Sequence, residues 1–341
     1  MIALQARKGN LRPFWSTTGL AVALVAGIVV SIAVGEEYFS LRTVIQALGG
    51  GGDSHTSFVV RELRFPRAAV AVVVGAALGL AGMVLQSMSR NPLASPDVLG
   101  IVTGAGTGAV ALIVLTGDYG GISGKWAEVG LPVAALAGSL LATILLWVLT
   151  RNESVIRVLL IGVGMQAMFG ALTSWLLLKA SIVDAGRAIV WLTGSLNAVT
   201  MANVYPSLVA LVVSTVAVLA TYRSLSALSL GNETAIGLGV SINRTRLILL
   251  LVCVILSATA TAAVGPIAFV ALGAPQLAQR LYRSIIPPLF GSILFGGCLV
   301  VWADWIGRAL FEQSLPVGVV TAALGAPLLV YLVISSTRIG E

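Results

Sequence analysis

The sequence predicts an all-α, polytopic membrane protein with about ten transmembrane helices, and three observations lead there. Hydrophobic residues make up 58% of the chain and charged residues only 10%, with a mean hydropathy of +1.02, far outside the range of water-soluble domains. Apolar windows of about 20 residues, the length that crosses a hydrocarbon core, recur from residue 14 almost to the C-terminus. The segments between them leave no room for a soluble domain, so residues 1–341 read as a single transmembrane domain.

In chain order, Arg7, Lys8 and Arg12 precede the first span, 14–34. That basic flank imitates a secretory leader, but the apolar run is of spanning length and lacks a small-residue cleavage site. Further spans are predicted at 66–88, 97–116, 127–150, 155–178, 203–222, 246–264, 286–308 and 316–336. A tenth candidate, "GPIAFVALGAPQLAQRL" from Gly265 to Leu281, is short and is broken by Gly-Pro and Ala-Pro. Lys and Arg in short loops gather on the cytoplasmic side, and this decides the parity. If the candidate crosses and the N-terminus is cytoplasmic, 12 of the 20 basic residues lie inside; if it does not, the split is an uninformative 10 to 10. Ten crossings with both termini cytoplasmic is therefore the expectation, and the net charge of +7 reports topology, with no nucleic-acid partner implied.

The connections carry the remaining signals. "SRNPLASPDVLG", Ser89 to Gly100, joins spans two and three with two prolines, an asparagine and an aspartate. Irregular backbone at membrane depth must be buried in protein or line a watery path, so this stretch is expected beside a pathway. Gly75 and Gly79, like Gly104 and Gly108, have the small-xxx-small spacing that lets helices approach closely. Cys253 and Cys298 sit inside apolar runs and read as packing residues. Asp304 is an ionisable residue within a span, but it lies near Trp302, Trp305 and the outer end, where hydration or a hydrogen bond suffices. His55, in a Gly-rich outer loop, reads as solvated. "GGISGKW", Gly120 to Trp126, fails as a phosphate-binding loop: Tyr119 stands where the first glycine is required, and Trp126 where Ser or Thr is required. Gly104-Ala105-Gly106 has no preceding strand and is no dinucleotide site. No cluster of His, Cys, Asp or Glu suggests a membrane enzyme.

"LRFPRAAVAVVVGAALGLAGMVLQSMSRNPLASPDVLGIVTGAG" (Leu63 to Gly106) resembles the signature region of the permease subunits of bacterial ATP-binding cassette importers for iron-siderophores, haem and cobalamin. "WLTGSL", "GNETAIGLGV", "GPIAFVALGAPQLAQRL" and "LPVGVVTAALGAPLLVYLV" follow in that family's order and spacing. "GSLNAVT" and "SINRTRLILLLV" look most like the ferric enterobactin type. One departure is Gln276, where the family usually has histidine after proline; a glutamine can replace it as donor and acceptor.

The resemblance implies the type II importer permease fold and transport of a ferric siderophore across the bacterial cytoplasmic membrane, with haem or cobalamin as the alternative within the family. The partners it implies are a second permease, identical or homologous, two ATPase subunits and an extracytoplasmic substrate-binding protein. This chain then carries no cofactor, and ATP and Mg belong to the ATPase. The resemblance further implies a cytoplasmic gate at Asn91 and Leu93, facing Ser154, with Pro92 and Pro96 stiffening the loop. It implies an ATPase-coupling loop at 223–245, with Gly231, Glu233, Ala235, Leu238 and Gly239 at its centre. Arg64, Arg67 and Arg308 are implied to receive carboxylates of the binding protein, against the alternative that the arginines snorkel with Glu62 as a partner. A stand-alone secondary transporter remains the competing class; it should show several intramembrane carboxylates, whereas only Asp304 lies well within a span.

Overall fold

The computed structural model describes residues 12–35, 37–116, 125–150, 155–197, 199–311 and 314–337. Among the described residues there are helices and no strands, which is what lipid demands of a single chain: each backbone N–H must find its carbonyl within its own segment. Seven helices are long and apolar enough to cross a membrane. They are α1 (Arg12–Ala33), α4 (Phe65–Ser89), α6 (Lys125–Leu149), α7 (Val155–Lys179), α9 (Met201–Leu230), α11 (Ile242–Val264) and α13 (Leu289–Ala309). Two further apolar helices, α5 (Ile101–Thr116) and α14 (Val317–Thr337), and the less apolar α12 (Val270–Tyr282) also lie among the described residues. Shorter pieces lie between them: α2 (Leu41–Leu48), α3 (Ser54–Phe58), α8 (Ile182–Leu192) and α10 (Asn232–Gly237).

α4 is the mast of the bundle. In its most apolar stretch 89% of residues are buried, against 22% to 28% for α1, α6, α7 and α9. Burial inside a lipid-soluble bundle gains little from hydrophobicity, so close packing has to supply the attraction. The glycines permit it. A Cβ at Gly75 or Gly79 would fall on the carbonyl of Gly296 or Ser292 in α13, and one at Gly108 on that of Ala134 in α6. The spacing read from the sequence thus marks two real helix crossings. Gly82 meets the carbonyl of Ala271 in α12 in the same way. That carbonyl has lost its helical donor, because Pro275 four residues on has no N–H.

The tenth segment is as short and broken as its sequence: Gly265 to Phe269 is non-helical, and α12 has 13 residues. The expected parity holds, because α12 returns to the end where α1 starts, with Thr17 and Tyr282 hydroxyls 2.6 Å apart. One boundary needs correction, the end of the span predicted at 203–222: α9 runs on to Leu230, since nothing in "YRSLSALSL" breaks a helix before Gly231. The connection proper is Gly231 to Ser241, and Arg223 belongs to the helix.

α8 was not anticipated. Its N-terminus is capped by Ser181, whose hydroxyl accepts from Asp184 N at 3.1 Å. With 11 residues it is too short to cross, and its end meets two other breaks in the bundle interior. Ser195 N donates to Val264 O at 2.8 Å, and Gly318 N donates to Gly194 O at 3.1 Å. Gly194 and Gly265, at φ +68° and +77°, make these turns at points where a side chain would strike the facing backbone. Three irregular segments therefore satisfy one another's backbone groups.

Candidate transport and docking sites

Three regions hold the residues singled out by sequence, and the first is an arginine network at the end of the bundle where α1 finishes and α4 begins. Arg64 closes a π turn, Val59–Arg64, ahead of α4. Its guanidinium donates to Ile32 O (2.8 Å), Ala33 O (3.2 Å) and Glu37 O (2.7 Å) and lies 4.7 Å from the centre of the Phe39 ring. Two of these carbonyls belong to the last turn of α1, where helical donors run out; Ala33 O also accepts from Phe39 N, and Glu37 O lies in the segment beyond. At 9% exposure Arg64 spends these donors within its own chain, at the end of α1.

Arg67 and Arg308 point to a different partner. Arg67 Nε lies 3.0 Å from both oxygens of Asp304, and Nη2 lies 2.8 Å from Oδ1. Arg308 Nε donates to Asp304 Oδ2 at 3.1 Å. The outer atoms are held too: Arg67 Nη1 by Asn197 Oδ1 at 2.8 Å, Arg308 Nη2 by Ser31 Oγ at 2.9 Å. The snorkelling account with Glu62 gives way to this network. Four elements meet there: α1, α4, α13 and the turn after α8. Asp304 and Arg308 stand four apart on one helix face, a spacing visible in "ADWIGR"; the pairing with Arg67, 237 positions away, was not visible. His55, near this end, is exposed and 4.0 Å from Glu37.

At the opposite end, α4 stops at Arg90, which takes the left-handed conformation at φ 52°. Asn91 Oδ1 then accepts from Leu93 N at 2.9 Å, an Asx turn that fixes the tip of the loop. Leu93 is 40% exposed, a large apolar side chain only partly covered by its own chain. Ser95 Oγ donates to Asp97 Oδ2 at 2.9 Å, and Pro96 opens a single 3₁₀ turn, Pro96–Leu99. Ser154, expected opposite this loop, lies outside the described residues, as does the "GGISGKW" stretch up to Gly124.

The third region is the connection from α9 to α11. Gly231 (φ +126°) and Gly239 (φ +78°) bracket α10, so both bends use backbone conformations that suit glycine. Ala235 is buried, while Glu233, Leu238 and Ile236 are exposed. Arg246 Nη2 ties the connection to α11 through Asn232 Oδ1 at 2.9 Å.

Between these ends lies a cavity of about 400 Å³, with Asp97, Thr103 and Gln166 on one side and Thr193, Pro266 and Gly318 on the other. Of the stretch "SRNPLASPDVLG", Asp97 lines this cavity. Its far wall is the meeting point of the three irregular segments.

A family model described as the FecCD transport family matches residues 23–335. The chain belongs to the FecCD transport family. It is 38% identical over 322 residues to the ferric enterobactin transport system permease protein FepG of Escherichia coli (strain K12), covering 94% of this chain and 95% of that one. It is 34% identical to the iron(3+)-hydroxamate import system permease protein FhuG of Bacillus subtilis (strain 168), covering 92% and 94%. A solved metal-chelate type ABC transporter in an inward-facing conformation superposes with a TM-score of 0.82 at 26% identity, over 94% of this chain and 98% of that chain.

This FecCD chain also answers the question raised by Gln276. Its Nε2 donates to Gln86 Oε1 at 2.8 Å, and Gln86 Nε2 donates to Leu272 O at 3.1 Å. Both glutamines are buried, at 7% and 3% exposure, so the pair joins α12 to α4 and leaves its amides satisfied. Sequence reasoning named Gln276 and missed Gln86, as it missed Asn197 and Ser31: each is an ordinary polar residue until its distant partner is known.

Proposed function

We propose that this chain is the permease subunit of an ATP-binding cassette importer that carries a ferric siderophore across the bacterial cytoplasmic membrane. The observation that carries this reading is the 38% identity to an enterobactin permease along 94% of the chain. In this reading the chain pairs with an identical or homologous permease, two separate ATPase subunits bind and hydrolyse Mg-ATP, and an extracytoplasmic protein delivers the substrate. The arginine network faces outward, and both ends of the chain are cytoplasmic. Basic residues support that orientation: Arg90, Arg223, Arg244, Arg246, Arg280 and Arg283 all belong to the end opposite the network. Exposed apolar side chains such as Leu160, Val163 and Met168 on α7 fit a second permease across a shared path.

Asn91 and Leu93 then form the cytoplasmic gate, and the connection around Glu233 transmits movement of the ATPase. Arg67 and Arg308 face the binding protein. Uptake of ⁵⁵Fe-siderophore by cells deleted for the gene and complemented with it tests the substrate class. Iron uptake that depends on the gene and on a co-purifying ATPase is the expected result. Gene-dependent uptake of labelled cobalamin or haem with no effect on iron would move the substrate within the family. Transport by the purified chain alone, without ATP, would replace the reading with a secondary transporter.

A further inference from the structure

We infer that the cavity beside Asp97 is a binding site for a small organic cation, a protonated aliphatic amine. The cavity measures about 400 Å³, within the range that holds small molecules and far above the roughly 30 Å³ of one water. Asp97 reaches it from the 3₁₀ turn Pro96–Leu99, half-buried, with the Ser95 hydroxyl as its hydrogen-bond donor. No Lys or Arg among the described residues forms an ion pair with it. A carboxylate drawn part-way out of water without a counter-charge is costly, so the cavity favours a cation from outside the chain.

The other polar groups of the lining point to the same sign of ligand. Thr103 Oγ1 donates to Gly100 O at 3.0 Å and Thr193 Oγ1 to Val190 O at 2.6 Å, so each hydroxyl has spent its proton and keeps only lone pairs for a ligand. Donors on the far wall are spent or missing: Gly318 N donates to Gly194 O, Val319 N to Pro316 O, and Pro266 has no N–H. Among the lining side chains only the Gln166 amide keeps N–H groups, and its carbonyl can serve in their place. A site rich in acceptors and poor in donors suits a ligand with N–H groups and a positive charge. Size and walls narrow the class. A bare monovalent ion would leave most of the volume empty, and among the described residues no three His, Cys, Asp or Glu gather to hold a divalent one. Val102, Leu192 and Ile267 give apolar walls for an alkyl chain, while the ammonium pairs with Asp97. A free amine offers this chemistry, and so does the ammonium arm of a chelate in transit; the second source rests on the siderophore reading above, the first does not.

The test is equilibrium dialysis of [¹⁴C]butylammonium against the complete transporter in nanodiscs, with empty nanodiscs as the blank. Saturable binding of one amine per permease chain is expected, with neither butanol nor butyrate competing. D97N should weaken binding about tenfold or more, the scale of a hydrogen bond to a charged group, and D97E should keep part of the affinity. T103V and T193V retain the charge and remove one acceptor each, so each should weaken binding about threefold. Unchanged affinity in D97N, or butyrate binding as well as the amine, would overturn the site. Should D97N fail to fold, unchanged affinity in both threonine variants would overturn it instead. Uptake by cells separates the two sources, using a ferric trihydroxamate with a pendant alkylammonium arm and the same chelate with that arm acetylated. A preference for the charged chelate that D97N abolishes assigns the site to the cargo; equal uptake of both, with amine binding intact, assigns it to a free amine. If iron uptake fails while the amine binds, the siderophore reading fails and the site stands; if iron is carried and no amine binds, only the site fails.

Discussion

Arg64 shows how much a residue's surroundings decide its role. Three residues before Arg67, it shares the same signature in sequence. Yet its side chain turns back onto the last turn of α1, while that of Arg67 crosses to α13. Three charge-assisted hydrogen bonds and a ring contact are lost in Arg64→Ala; Ala33 O keeps its bond from Phe39 N, while Ile32 O and Glu37 O lose the guanidinium. The variant should be destabilised by about 2–3 kcal/mol, seen as a lower thermal midpoint in detergent. Arg64→Lys should not recover it, because one ammonium cannot span three carbonyls on two segments. An unchanged midpoint in both variants would remove the capping role. Cys253 and Cys298, buried at 0% and 7% exposure, pack as the sequence suggested, with each thiol directed at a neighbouring helix carbonyl, Ala81 O and Leu20 O respectively. Maleimide should therefore leave both thiols unlabelled in native membranes and label both after denaturation; rapid native labelling would contradict the packing.

At the scale of elements, glycine marks where helices touch. Gly75→Val should overpack the α4–α13 crossing, because the obstacle is the Gly296 backbone and no side chain can move aside. A loss of about 1–3 kcal/mol or more is expected, with reduced yield of folded protein. Gly19→Ala, on α1 with no atom within 4 Å of the new Cβ, should leave yield and midpoint unchanged. Equal behaviour of the two variants would remove close packing as the explanation. Gly239 is a different case: nothing crowds it, and only its φ of +78° resists a side chain. Gly239→Val should therefore act through backbone strain of about 1 kcal/mol or more at the bend after α10. Uptake and ATPase stimulation should fall while the rest of the bundle stays folded; intact coupling would show that the bend is not part of the transmission.

For the whole molecule, the gate proposed at the exposed Leu93 is tested across a pair of permeases. Cysteines at position 93 of both protomers should crosslink in the resting state and much less when ATP is trapped on the assembled transporter. Equal crosslinking in the two states would remove Leu93 from the gate. The rigidity this requires is local: Asn91 caps the turn, and Pro92 and Pro96 limit its backbone.

The sequence by itself determined the class of the fold and most of its elements, because lipid enforces continuous apolar helices and forbids unpaired backbone between them. It also determined the glycine crossings, since small residues at a four-residue interval have few other uses in such a chain. Tertiary structure alone decided what joins across distance. Arg67 meets Asp304, Gln86 meets Gln276, and the turn at Gly194 meets the turn at Gly265 and the start of α14 at Gly318. None of these pairs shares a local pattern, so no periodicity could announce them. They exist because a polar group inside a lipid-soluble bundle costs too much to leave unpaired, and which partner it finds depends on how the helices pack.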